Sequence, residues 1–218
     1  MNYRLMLSLL AAFAVVTAAS GCMDSTQSAT TPKTASAKGK IFHAPGIRDP
    51  FSQPDIDFMS GMIPHHAQAV IMAGWAPTHG AREDVRILCE RIVVGQTDEI
   101  KLMQTWLADR GQEVPDAKST RMHMKMNGMD HEMLMPGMLT DEEMAALDKS
   151  RGPEFDRLFL VGMIKHHQGA IDMVDVLFKS YGAAQDEKVF KFANDVYADQ
   201  STEITRMQKM LEGGGVFQ

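Results

Sequence analysis

The sequence predicts an all-α fold, a four-helix bundle made of two repeated helical hairpins. Three observations lead there. Residues 58–72 and 159–173 are alike: Phe58/Phe159, Gly61/Gly162, Met62/Met163, Ile63/Ile164, His65/His166, His66/His167, Ala69/Ala170 and Met72/Met173 coincide at a constant offset of 101 residues. Self-similarity at a fixed offset marks a doubled structural unit. Apolar residues also recur at helical spacing in four long windows, and two windows joined by a short turn form a helical hairpin. No window reads as a strand, so none is expected.

The N-terminus reads as an export signal over residues 1–21, with Arg4 ahead of an apolar run from Leu5 to Val16 and small residues after it. That run is too short to cross a bilayer. Ala19-Ser20-Gly21-Cys22 has the form of a lipobox, with alanine where leucine is usual, which predicts lipidation of Cys22 and leaves simple cleavage near Ala18 or Ala19 as the alternative. Residues 22–49 are expected to be a lipid-anchored flexible linker, since 23–40 are mostly Ser, Thr, Ala, Lys and Gln and 41–51 carry Pro45, Gly46 and Pro50. The folded domain is expected over residues 50–212.

Ser52, Pro54 and Asp55 make a helix start, and the first helix should run to about Ala76. At about 100° per residue, Phe58, Met59, Met62, His65, His66, Ala69, Val70, Met72 and Ala73 share its apolar face, and Pro64 falls on the far side. A second helix follows from about Glu83 to Arg110, closed by Gly111. Gln96 and Glu99 interrupt its apolar stripe. Residues 112–138 are expected to form a Met-rich loop, because Gly128, Pro136 and Gly137 break it and neither a helical nor a strand period fits. Thr140 and Glu143 cap a short helix to about Lys149. Pro153 opens a long helix to about 181 that repeats the first, and a last helix over about 185–212 repeats the second, with Gln200 and Glu203 in the places of Gln96 and Glu99.

With a net charge of -6 and a pI near 5.7, the chain offers no basic face for nucleic acid. Methionine outnumbers leucine, 19 to 14, against ordinary usage. Histidine pairs on inward stripes need hydrogen bonds or a metal once buried, and here they recur in both repeats with methionines either side. Imidazole with thioether sulfur suits copper, Cu(I) above all. The helix candidates are Met59, Met62, His65, His66, Met72, Met163, His166, His167 and Met173. Glu99, Glu203, Gln96 and Gln200 would accept the ring N–H that a ligating histidine donates. A second candidate set is Met122, His123, Met124, Met126, Met129, His131, Met133, Met135 and Met138, gathered in a polar stretch with no apolar face to bury. Against this, methionines fill cores, buried rings can be satisfied by the inward Glu and Gln alone, and a Met-rich surface suits protein contact. Cys89 reads as a small buried hydrophobe rather than a metal thiolate.

The repeated Gly-Met-Ile-x-His-His stretches, the run Met135-Pro136-Gly137-Met138, and Leu139 to Met144 leading into Glu154 to Phe159 resemble the bacterial domain of unknown function family number three hundred and five. The resemblance spans about residues 50–212. It implies a ferritin-like bundle, export to the periplasm, and copper binding through Met62, His65, His66, Met72, Met163, His166, His167 and Met173. Lys165 stands where the first repeat has Pro64, so the halves are expected to differ.

The resulting expectation is an exported copper-binding protein, held at the periplasmic membrane by a lipid anchor, that buffers or traffics copper. No nucleophile or general base stands out, so catalysis is not the first reading. The alternatives are a di-metal Fe or Mn redox enzyme in a ferritin-like bundle, and a non-metal envelope interaction module. A homodimer and an unidentified copper-delivery partner stay open.

Overall fold

The computed structural model describes residues 40–44, 46, 50–126 and 129–213. The expected signal peptide, Cys22 and the linker as far as residue 39 lie outside the described residues, as do the side chains at 124–126 and 130. The elements in order are β1 (Ile41–Phe42), β2 (Phe51–Ser52), α1 (Gln53–Gly74), α2 (Glu83–Asp109), β3 (Met122–Met126), β4 (Met129–Met133), α3 (Asp141–Lys149), α4 (Pro153–Lys179) and α5 (Glu187–Glu212). Helices α1 and α2 pack as one hairpin, α4 and α5 as the other, and α1 lies against α4. The chain is thus the all-α bundle of two hairpins that its repeat predicts. No helix among the described residues is long and apolar enough to cross a membrane.

Local chemistry sets the helix starts. Ser52 accepts from the Asp55 backbone N–H while Asp55 Oδ2 accepts from the Ser52 N–H at 2.8 Å, a reciprocal cap. Thr140 and Glu143 repeat it at α3. Asp186 caps α5 through the N–H groups of Lys188 and Val189, and its other oxygen takes a buried bond from Arg110, which ties α2 to α5.

Three expectations are corrected. The chain does contain strands: β1 pairs with β2 across the Pro- and Gly-bearing residues 41–52, where no strand is expected, and β3 with β4 inside the stretch expected to be a loop. The register sets Met122, Met124 and Met126 against Met133, His131 and Met129, leaving Asn127-Gly128 between the strands. That dipeptide favours a two-residue hairpin connection, and Met-x-Met-x-Met alternates at the strand period. Pro64 is buried rather than solvated, because the connection between the hairpins covers that side of α1.

The connection ends in a strap, residues 135–139. Met138 N–H donates to Met135 O at 3.2 Å, and Gly137 has φ +76°, the pattern of a type II turn with Pro136 at its second position. The strap is held at equivalent positions of the two repeats. Gln68 on α1 makes two hydrogen bonds to the Leu139 peptide, Nε2 to O at 2.9 Å and N to Oε1 at 2.7 Å. Its counterpart on α4 is Gly169, where a Cβ would stand 2.0 Å from Pro136 O and 2.7 Å from Gly137 Cα. One repeat grips the strap with an amide, and the other makes room for it by having no side chain.

Candidate metal centre

The interior is apolar at both ends and polar in the middle. One cluster joins Phe58, Met59, Met62, Ile100, Met103, Trp106, Met173 and Phe192; the other joins Met72, Leu88, Ile92, Phe155, Phe159, Met163 and Met207. In every long helix the polar residues fall between the segments that feed these clusters: His65 and His66 on α1, Gln96 and Glu99 on α2, His166 and His167 on α4, Gln200 and Glu203 on α5. The four imidazoles are 0% exposed. His65 and His166 meet where α1 crosses α4, ring centroids 3.8 Å apart, and each lies just over 6 Å from the next ring on its own helix.

The outer pair matches the expected arrangement. His66 Nε2 donates to Glu99 and His167 Nε2 to Glu203, both at 2.7 Å, and each carboxylate is partly open to solvent. The inner pair differs. His65 Nε2 donates to the carbonyl of Pro136 at 3.1 Å, a strap contact absent from sequence reasoning, whereas among the described residues His166 has no partner at either nitrogen. A carbonyl can only accept, so the His65 proton sits on Nε2 and Nδ1 keeps its lone pair.

Among the described residues, five buried ring nitrogens therefore have no hydrogen-bond partner: Nδ1 of His65, His66 and His167, and both nitrogens of His166. Gln96 and Gln200 also keep unpartnered buried Oε1 atoms, and among the described residues no bond joins them to a ring. An unsatisfied buried polar atom costs about 1–3 kcal/mol. A layer carrying this many is either hydrated or built to hold something with empty orbitals. The Nδ1 atoms of His65, His66 and His167 suit a metal because the carboxylates and the strap carbonyl fix the proton of each ring on Nε2. Among the described residues no three His, Cys, Asp or Glu side chains form a ready-made cage.

Burial pushes the pKa of both His65 and His166 well below the ordinary imidazole value, and the neighbouring rings add to the effect. In the unfolded chain both rings titrate near 6.5, so below that pH the unfolded state binds protons that the folded state refuses. Metal-free protein is expected to hold its stability above about pH 6.5 and to lose it with acidification, by at most about 1.4 kcal/mol per pH unit for each ring. Urea unfolding between pH 5 and 8 measures the slope, and a flat profile would contradict it.

The other candidates are dispersed. Met59, Met62, Met72, Met163 and Met173 are buried in the two clusters. In the β3–β4 hairpin, Met129, Met133, His123 and His131 are exposed and Met122 half-buried. Met138 is buried, its Sδ accepting from Met135 N–H at 3.2 Å, and Met135 is half-buried. Burial, then the nearby Asp156 and Glu90 charges, push the Cys89 thiol far up, so it stays protonated and supplies no thiolate.

Fold and site together define a class: a duplicated helical bundle with an imidazole layer between methionine-rich cores. The chain belongs to the DUF305 family, the domain of unknown function whose profile matches residues 55–211. Among solved structures, CopM in its Cu(I)-bound form is 27% identical over 74% of this chain and 97% of its own, with a TM-score of 0.56. A DUF305 fragment from Deinococcus radiodurans is 25% identical over 73% of this chain and 96% of its own, at 0.59. A Streptomyces coelicolor DUF305 protein described as secreted is 25% identical over 74% and 94%, at 0.60. CopM has also been solved bound to Cu(II) and to silver. No curated protein matches the chain significantly.

Proposed function

We propose that the protein is an exported copper-binding protein of the bacterial envelope, anchored by a lipid on Cys22, that buffers copper or passes it on. The observation that carries this reading is the buried layer of imidazoles with five unpartnered nitrogens, bounded at both ends by methionines. Nitrogen and thioether donors together prefer cuprous copper to harder ions. The copper- and silver-bound forms of CopM support the choice of metal, and the secreted Streptomyces relative supports export. His65, His66, His166 and His167 are the proposed nitrogen donors, with Met59, Met62, Met72, Met163 and Met173 on either side. Glu99 and Glu203 orient two of the rings. The hairpin residues Met122, His123, Met124, Met126, Met129, His131 and Met133, with Met135 and Met138 of the strap, form the second, more accessible set.

Titration of the purified protein with Cu(I), Cu(II), Zn(II) and Fe(II), followed by dialysis and metal analysis, tests this. Cuprous copper is expected to be retained in preference to the others. Replacing residues 122–133 by a short linker is expected to lower the stoichiometry while sparing the buried layer; the deletion stops there because the strap is part of the bundle. Two Fe or Mn ions per chain with dioxygen or peroxide turnover would favour a redox enzyme instead. No stoichiometric uptake of any ion would leave a non-metal interaction module.

A further inference from the structure

The repeat places Gly61 and Gly162 at equivalent points, yet their surroundings differ. A Cβ at Gly61 would lie 2.8 Å from Met135 Cε, 3.5 Å from Met135 Sδ and 3.5 Å from Met173 Cε, so two thioether ends converge there. At Gly162 the equivalent place is filled by Met72 Cε at 3.4 Å and by Leu139 Cδ2 at 3.1 Å. The strap runs once across the two repeats, offering methionine at its first residue and leucine at its last. One end of the layer thus brings two methionine side chains together, and the other sets one methionine beside a leucine, which cannot coordinate.

The two ends also differ in access. A cavity of about 310 Å³ opens beside the first, lined by Phe58, Met135, Pro136 and Met173, with Asp57 and Asp172 also among its residues. Met72 and Leu139 are buried. Pro136 lines the cavity and also holds His65 through its carbonyl, so one residue touches both the cavity and the first imidazole. All four rings are sealed from solvent, so an ion reaching them has to pass protein atoms, and this cavity is the opening next to the strap carbonyl that holds His65.

We infer that the Met135–Met173 cavity is the port of the histidine layer, where a soft monovalent cation, Cu(I) or Ag(I), is captured by two thioethers before it moves past Pro136 to His65 and His166. This rests on the copper reading above and adds the route and its direction. The negative charges of Asp57 and Asp172 beside the cavity favour the approach of cations. The apolar wall strips water, which soft ions exchange for sulfur readily and hard divalent ions resist. Donors are exchanged stepwise, with no change of oxidation state and no covalent bond made in the protein.

Stopped-flow loading with Ag(I), a redox-inert stand-in for Cu(I), tests the route on the purified protein. Met135→Leu with Met173→Leu keeps the packing nearly intact and removes both sulfurs. Val176→Trp, at an exposed cavity position, obstructs the mouth without touching a donor. Both are expected to slow loading by at least about tenfold, the scale on which a supporting group alters a metal site. Met103→Leu, in the same apolar cluster but away from the cavity, should load at the wild-type rate. Equal rates in all four proteins, with silver still bound stoichiometrically, would overturn the port and leave the copper reading standing. A wild-type protein that takes up neither Ag(I) nor Cu(I) would overturn both.

Discussion

Replacing His66 and His167 together by alanine is expected to weaken cuprous binding by more than about 100-fold, because two of the proposed nitrogen donors go at once. Both rings are wholly buried, and each is aimed by a 2.7 Å bond to a glutamate on the neighbouring helix, which leaves Nδ1 facing the interior without a partner. The carboxylates left behind are partly hydrated already, so the fold should survive the change. Glu99→Gln with Glu203→Gln keeps the rings but weakens the groups that orient them, and a smaller loss of about 10- to 100-fold is expected. Competition with a chromophoric cuprous chelator measures both. Unchanged affinity in the double alanine variant would remove the layer from the binding site.

Gly169→Ala is expected to destabilise the protein by about 2–3 kcal/mol, at the upper end of ordinary overpacking. The added methyl would stand 2.0 Å from the Pro136 carbonyl oxygen, and the obstacle is backbone on both sides, so no flexible side chain can swing away. For a chain of this size that loss corresponds to roughly 5–10 °C in the thermal midpoint. Gly95→Ala is the control: it is exposed in α2 with nothing within 4 Å of the new carbon, and alanine there should stabilise by about 0.5–1 kcal/mol. Similar midpoints for the two variants would mean that the strap does not depend on Gly169.

The bundle could be read from the sequence because two physical signals coincide in it: an inward stripe at helical spacing and its recurrence at a fixed offset. The bonds of His66 to Glu99 and of His167 to Glu203 followed from the same stripes, since residues on facing stripes of one hairpin must meet. The β3–β4 hairpin was missed because methionine and histidine carry no strong strand preference. Asn127-Gly128 and the alternation of Met122, Met124 and Met126 were the signals that could have found it. The strap was hidden for a different reason. Gln68 and Gly169 look like ordinary divergence between repeats, and only the folded chain shows that both hold the same five residues. Pro64 was misplaced because a helical wheel assigns the far side to water and cannot see a connection folded over it.

The stacking of an oily core, a polar belt and a second oily core has a consequence for alignment along the bundle axis. If α1 slid by one turn against α4, about 5.4 Å, His65 would leave His166 and the strap carbonyl and enter an apolar neighbourhood, while methionines would be dragged into the belt. Greasy surfaces alone tolerate such slippage; imidazoles with fixed partners do not. The belt therefore works as a ruler that sets where each hairpin stops against the other.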